Sequence, residues 1–452
     1  MTSYINKYTE VTRGNFASLF PLIKDILSRA SFVALDTEFT GLGGSGFDTR
    51  AGNIEDRYKS LRKVALTHAL VALGITTFEH GSENGRDQTN YIVHNFNFLL
   101  LREDDHQVSS KSLSFLAESG FDFNRQYREG IMYTPGEDKL SSFGSTNNLM
   151  RALFGHLLKL RIPVAIHNGL LDLIYLYHSF HAELPTELNI FIADLNDMFP
   201  AGIYDTKYVA DYVTRERASF LAYLFRKYER VHVRDESKEG GQSKTLHLEV
   251  CERLTAPPVE IKSQSAVEAS SLDGKKRKKR NPPDNNKPYC VQYAYHGFCS
   301  QGFQCGKSHD LDLILNEEEK ERAHKKRSKQ SPSNHEPILL GEQAKSLPIE
   351  SVVSPCPSLS PTTLPMPSFV STATSSSYHS AHMDSYMTGF VFAHQLLTYN
   401  EDTILHDHRN LLYLIGKSFP LRVAKSAFAK TSKGHEDRMK RIDALWHEDN
   451  MH

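Results

Sequence analysis

Two carboxylates, Asp36 and Glu38, stand one residue apart at the end of the apolar run FVALDTEF. On a strand alternate side chains share a face, so both acids point one way while Thr37 and Phe39 point the other. Two anions a few ångströms apart repel, and a divalent cation relieves that repulsion most naturally. Taken alone, the pair reads equally as solvated acids at a strand end, because acids also meet in structural networks.

Further acids weigh against that plainer reading. Asp172 falls in the first turn of the helical stretch GLLDLIYLY, where an acid also complements the helix dipole. Asp384 sits on a mostly apolar helix, and on its own it reads as a surface acid. His379 lies five residues before Asp384 in a Ser-rich stretch, a spacing that does not put the two on one helix face. The expectation is therefore a loop that carries His379 over the acids.

A second group of metal-binding types lies in CVQYAYHGFCSQGFQCGKSH. Cys290, Cys299, Cys305 and His309 are separated by eight, five and three residues, the CCCH finger spacing, with Gly297 and Gly302 at turns. Three thiolates and one imidazole make a closed tetrahedral shell for one structural Zn²⁺. Tyr293, Tyr295, Phe298 and Phe303 supply aromatic surface between the ligands. Some of these rings must form the small core, and any exposed ring could stack an unpaired RNA base. Cys251 and Cys356, the other two of five cysteines, read as free thiols in a reducing compartment.

The elements that must position these residues follow from periodicity. A chain of 452 residues has room for two or three domains. FVALDTEF reads as a strand, IEDRYKSLRKVA as a helix, and HALVALGITTFE and NYIVHNFNFLLL as two more strands. LMRALFGHLLKL is helical, PVAIHN is a short buried strand, and Asn168 is the expected N-cap of the helix that follows. This alternation predicts an α/β fold, a mixed sheet flanked by helices.

Composition changes near residue 256 to Ser, Lys, Asn and Pro, and from Ser328 to about Ser377 the chain is Ser/Pro-rich. Neither stretch carries enough apolar surface to offset its ordering entropy. Order returns at HMDSYMTGFVFAHQLL, whose apolar face needs the first 255 residues as its partner. The expected organisation is a first α/β core segment at 1–255, a basic linker at 256–286, the finger at 287–312, a low-complexity linker at 313–377, a second segment of the same core at 378–435 and a tail at 436–452. Such an insertion is tolerated because loop-closure cost grows slowly with length.

Overall charge is −1 with 24% charged residues, so net charge selects no partner. Local charge does: Lys275, Lys276, Arg277, Lys278, Lys279 and Arg280 form a run that reads first as a nuclear import signal for an import receptor, and second as a nucleic-acid contact. No stretch has the length and apolarity of a membrane span, and the N-terminus lacks the order of a secretion signal, so an intracellular protein without membrane contact is expected.

Asp36-x-Glu38, Asp172 in HNGLLDL, and His379-x-x-x-x-Asp384 in HSAHMDSYMTG resemble the three motifs of DEDD-type 3′ exonucleases, in the variant whose fifth residue is histidine. The stretches FVALDTEFTGL, IEDRYKSLRKVALTHALVALGITTF, FNFLL and GFDFNRQYREGI are similar to the poly(A)-specific ribonuclease branch, which includes the CCR-associated-factor deadenylases. FPAGIYDTKYVA, LYLIGKSFPLRVAKS and the inserted finger look most like a nuclear, finger-bearing member of that family. One pair departs: the family has a Gly-aromatic pair before the final aspartate where this chain has His382 and Met383.

The resemblance implies a ribonuclease-H-like exonuclease fold and a Mg²⁺-dependent 3′→5′ exoribonuclease that removes adenosines and releases 5′-AMP. It implies two Mg²⁺ ions, Asp36 bridging them, Glu38 and Asp384 on the nucleophile side, Asp172 on the leaving-group side, and His379 orienting or deprotonating the attacking water. Phe39 and Asn168 are candidates for lining the RNA path. RNAs with 3′ oligo(A) tails, small nuclear RNAs among them, are the implied partners, in the nucleus, its nucleoli and Cajal bodies. Two readings compete: an inactive CCCH adaptor that binds RNA, and an exonuclease of this architecture that acts on DNA. No oligomeric state is read from the sequence.

Overall fold

The computed structural model describes residues 7–44, 47–81, 88–136, 147–236, 245–254, 287–329, 380–399 and 401–449. The expected import run at 275–280 and His379 lie outside the described residues, as do 255–286 and 330–379 generally.

Ten strands form one sheet among the described residues: β1 (Thr9–Val11), β2 (Phe32–Phe39), β3 (Leu70–His80), β4 (Gln88–Arg102), β5 (Ile131–Tyr133), β6 (Val164–Ile166), β7 (Ile203–Asp205), β8 (Thr245–Val250), β9 (Leu411–Leu412) and β10 (Leu421–Arg422). Their order is β1-β4-β3-β2-β6-β7-β9-β10, with β5 and β8 also pairing to the long β4. β3 runs antiparallel to both β2 and β4, while β1 runs parallel to β4 and β6 and β7 run parallel to β2. The mixed α/β sheet flanked by helices is thus the fold the sequence implied.

The alternation of β2 sets the two faces. Val33 and Leu35 enter one core with residues of the helices Phe16–Arg29, Ile54–Thr67, Asn147–Leu160 and Leu170–Leu176. Phe32 and Ala34 enter the other, with Met387 and Val391 of helix Ala381–Tyr399 and Tyr223 and Tyr228 of helix Leu221–Glu236. Phe32 lies stacked on Phe78 of β3 with centroids 4.6 Å apart and edge-on to Phe392 at 5.0 Å. Burying each such ring contributes about 1.5–3 kcal/mol.

Helix Ala381–Tyr399 lies unusually close to the sheet because two glycines remove side chains from the contact. A Cβ on Gly74 of β3 would overlap the backbone carbonyl of Ala381, and a Cβ on Gly389 would overlap the ring of Phe78. Residues from both ends of the sequence therefore share one core.

Two expectations are corrected. Part of the expected 313–377 linker is helix Leu311–Lys329, which packs against helix Leu221–Glu236. Arg226 pairs with Asp312 at 2.7 Å, and Glu318, 2% exposed, accepts the Tyr223 hydroxyl at 2.8 Å. The expected tail from 436 is helix Lys433–Asp449, which packs on helix Asn147–Leu160 with His435, Arg438 and Ile442 buried. His435 meets His181 at 2.8 Å and Asp197 at 2.8 Å. In both helices a thin apolar stripe suffices because buried polar contacts complete the interface.

Candidate active site

The end of β2 carries the first two acids. Phe32, Ala34, Asp36 and Glu38 are in phase along the strand, so the acids extend the row that helix Ala381–Tyr399 covers. Asp36 is paired in register with Gly74, the residue over which that helix begins, so its first turn delivers Asp384 beside the strand acids. Carboxylate oxygens of Asp36, Glu38 and Asp384 all lie within 4.8 Å of one another, and all three side chains keep partial access to solvent.

Asp172 arrives from the opposite face of the sheet, on the helix Leu170–Leu176. β6 ends at Ile166, having paired β2 only at Val33 and Ala34, so the end of β2 is open on that edge. Thr37, pointing away from its neighbouring acids, donates its hydroxyl to the Asp172 carboxylate. Sequence reading missed Thr37; its place between the two acids was the only signal.

The electrostatics of this cluster are one-sided. Burial, then Asp384, Asp172 and Glu38, push the Asp36 carboxyl well above the usual range. Burial and Asp172 push Glu38 up to about 8, and burial raises Asp172 to about 6 against the opposing hydrogen bond from Thr37. Asp384 is likewise pushed well up by burial, Glu38 and Asp172. Among the described residues, none of these four acids pairs with a lysine or arginine. An all-oxygen donor set with uncompensated negative charge fits hard divalent cations such as Mg²⁺ or Mn²⁺.

Asn168 does not cap the helix that follows it. Its φ of 58° is left-handed, and Gly169 holds the cap position with no side-chain cap bond. The cause is Asp205 at the end of β7, which is fully buried and accepts the backbone N–H of Asn168 at 2.9 Å and of Tyr413 at 2.8 Å. Asparagine tolerates this conformation better than most residues. The turn places residues 167–169 next to Asp172, and Asp205 is a second residue that sequence reading did not single out.

Phe39 follows a register irregularity after Glu38 and stacks on Tyr175, centroids 4.2 Å apart, on the face away from the acids' row. His382 lies in the first turn with Asp384, yet its ring stacks on Tyr8 at 3.7 Å, and burial pushes it down to about 4. Ser380 is the first described residue before that helix, its carbonyl accepting the Asp384 N–H at 2.9 Å.

The finger residues also converge: ligand atoms of Cys290, Cys299, Cys305 and His309 lie within 4.8 Å of one another. His309 Nε2 is buried and has no hydrogen-bond partner, while Tyr293 stacks on its ring at 4.5 Å. Burial and neighbouring thiols push the Cys299 thiol up to about 11. Crowded thiols beside an orphaned imidazole nitrogen fit a zinc ion.

Comparison with known proteins gives this arrangement its relatives. Poly(A)-specific ribonuclease PARN of Danio rerio is 34% identical over 146 residues, 29% of this chain and 21% of that protein. The same-named human protein is 32% identical over 146 residues, 29% of this chain and 22% of that one. The chain thus spans about a fifth of the length of these relatives. A probable CCR4-associated factor 1 homolog from Arabidopsis thaliana is 28% identical over 206 residues, 44% of this chain and 69% of that protein. The solved structure of S. pombe Pop2p in its Mg²⁺- and Mn²⁺-bound form covers 49% of this chain and 82% of its own, at 19% identity and a TM-score of 0.39. A family model matches residues 11–148 and 137–392, from the strand before the first acids to the helix bearing Asp384, and on that match the chain belongs to the CAF1 family of ribonucleases.

Proposed function

We propose that this chain is a divalent-metal-dependent 3′→5′ exoribonuclease, a deadenylase that shortens 3′ oligo(A) tails and releases 5′-AMP. The observation that carries it is the convergence of Asp36, Glu38 and Asp384, with Asp172 held beside them, in a chain of the CAF1 ribonuclease family. Relatives named poly(A)-specific ribonucleases support adenosine-tailed RNA as the substrate.

Asp36, Glu38, Asp172 and Asp384 would hold two Mg²⁺ ions, which when bound supply a hydroxide nucleophile and neutralise the leaving oxygen. The protein's own part is positional: a strand end, two helix starts and one threonine hydroxyl fix the carboxylates before substrate arrives. His379 would orient the attacking water or take its proton, a task suited to a side chain titrating near neutrality. Phe39 and Asn168 would flank the RNA path. Cys290, Cys299, Cys305 and His309 would hold one structural Zn²⁺, and the finger would recruit RNA.

Within the family, the basic run at 275–280 and the finger support likeness to the nuclear deadenylase called target of early growth response protein. On that likeness the chain would enter the nucleus through an import receptor, act in nucleoli and Cajal bodies, and trim small nuclear RNA tails. The adaptor alternative is disfavoured because a decayed site would have lost acids, and all of them remain.

Digestion of a 5′-labelled RNA ending in oligo(A), with Mg²⁺, tests the proposal beside an Asp36→Ala/Glu38→Ala variant. Stepwise shortening that stops at the tail and vanishes in the variant is expected. A folded wild type that leaves the RNA intact would return the chain to the adaptor reading.

A further inference from the structure

The finger is not suspended away from the nuclease body. Gly297, left-handed at φ 67°, sits so close to Phe220 that a Cβ there would come within 2.7 Å of the ring. Phe220 also meets Tyr293 edge-on, with centroids 6.0 Å apart. Arg217 lies over the Tyr295 ring at 5.3 Å, donates to its hydroxyl at 3.1 Å, and pairs with Glu318 at 3.4 Å. The helix after the finger extends the contact, with Arg230 and Arg234 facing Glu319. Glu318 is 2% exposed, so leaving its carboxylate without Arg217 is costly, and this contact makes the docking specific.

The same loop connects to the turn beside Asp172. Ser219, next to Phe220, accepts Lys207 Nζ on both its carbonyl (3.0 Å) and its hydroxyl (2.8 Å). Lys207 follows Asp205 by two residues, and Asp205 holds the turn at Asn168 beside Asp172. Residues 217–220 thus bridge the finger and the turn beside Asp172.

Among the described side chains, the finger's rings divide into two sets. Tyr289 is buried with Ala294 and Ile314, and Tyr293 is occupied by His309 and Phe220. Tyr295 and Phe298 are 41% and 42% exposed, and a guanidinium backs the first of them. Exposed rings with a cation beside them suit unpaired bases, since every base offers a π-face.

We propose that Tyr295, Phe298 and Arg217 form a stacking platform for single-stranded RNA upstream of the end being removed. Because the finger is docked through residues 217–220 to the turn beside Asp172, the platform sets a minimum 3′ tail length that engages both the platform and the acids at once. Simultaneous engagement at fixed spacing raises affinity for tails long enough to span it and leaves shorter ones without the gain. This inference rests on the exoribonuclease reading and adds to it how substrate length is sensed.

The test is fluorescence anisotropy of 5′-labelled A15 and A3 binding to the full chain in an Asp36→Asn background, with zinc content measured for each preparation. Tyr295→Ala/Phe298→Ala is expected to weaken A15 binding about tenfold or more, and A3 binding by far less. Equal losses on both RNAs, or none on A15, would overturn the platform. Phe220→Ala, which leaves the finger's exposed rings in place, is expected to reduce the preference for A15 over A3; an undiminished preference would overturn the fixed spacing. Shortening by the chain with Asp36 restored is measured separately, so failure of the exonuclease reading is seen independently of the binding result.

Discussion

Thr37 turns away from the two acids that flank it, and its hydroxyl is what holds the Asp172 carboxylate from the far side of the strand. Residues that orient metal ligands typically cost 10–100-fold in metal affinity or activity when removed. Thr37→Val should therefore raise the Mg²⁺ concentration needed for half-maximal RNA shortening about tenfold, and Thr37→Ser should restore it. An unchanged Mg²⁺ requirement in the valine variant would mean that Asp172 holds its place without the hydroxyl. The acids themselves were legible because charge at the end of an apolar strand is conspicuous. Thr37 was not, since threonine is ordinary on a strand and only the three-dimensional edge between β2 and β6 gives it a partner. Asn168 was misjudged for a related reason: residue type favours a cap, but Asp205, distant in sequence, recruits its N–H and turns it left-handed.

The helix Ala381–Tyr399 and strand β3 touch through Gly74 and Gly389, and this close approach places Asp384 over Asp36. Adding one methyl group at Gly74 must push the helix start outward, because backbone stands in its way. Gly74→Ala is expected to cost about 1–3 kcal/mol of stability, as overpacking typically does. It should lower kcat at least tenfold at saturating Mg²⁺, since the acids are pushed out of register. A variant that loses stability yet keeps kcat would show that Asp384 does not depend on this contact. Strands β2, β3 and β4 and the helices Ile54–Thr67, Asn147–Leu160 and Ala381–Tyr399 were readable from period alone, because each buries a full stripe or face. Helices Leu311–Lys329 and Lys433–Asp449 were not, as their exposed faces are densely charged and their docking relies on Glu318, Arg438 and His435. Buried polar partners leave no hydrophobic periodicity for a sequence reading to find.

At the scale of the molecule, two large cores clasp the sheet while the finger has only a small one, built on Tyr289, Ala294 and Ile314. So small a cluster would need the proposed Zn²⁺ in order to fold. A zinc-selective chelator should open the chain to protease within 287–329 first, while the strands of the sheet stay protected; mass spectrometry of the fragments reads this directly. Loss of the whole fold on chelation would show that the finger supports the nuclease core rather than resting on it.

The order of the four clustered acids along the chain also has a consequence in time. Asp36, Glu38 and Asp172 are synthesised early, but Asp384 follows Asp172 by 212 residues (384 less 172), after the finger and both linkers. At about 5–20 residues per second, translation needs about 10–40 s to cover that interval. Throughout it the nascent polypeptide carries three of the four acids and lacks the helix that completes the cluster. A nuclease assembled in this order would lack its fourth acid, and with it any means of cutting the message being read, until residue 384 has been made.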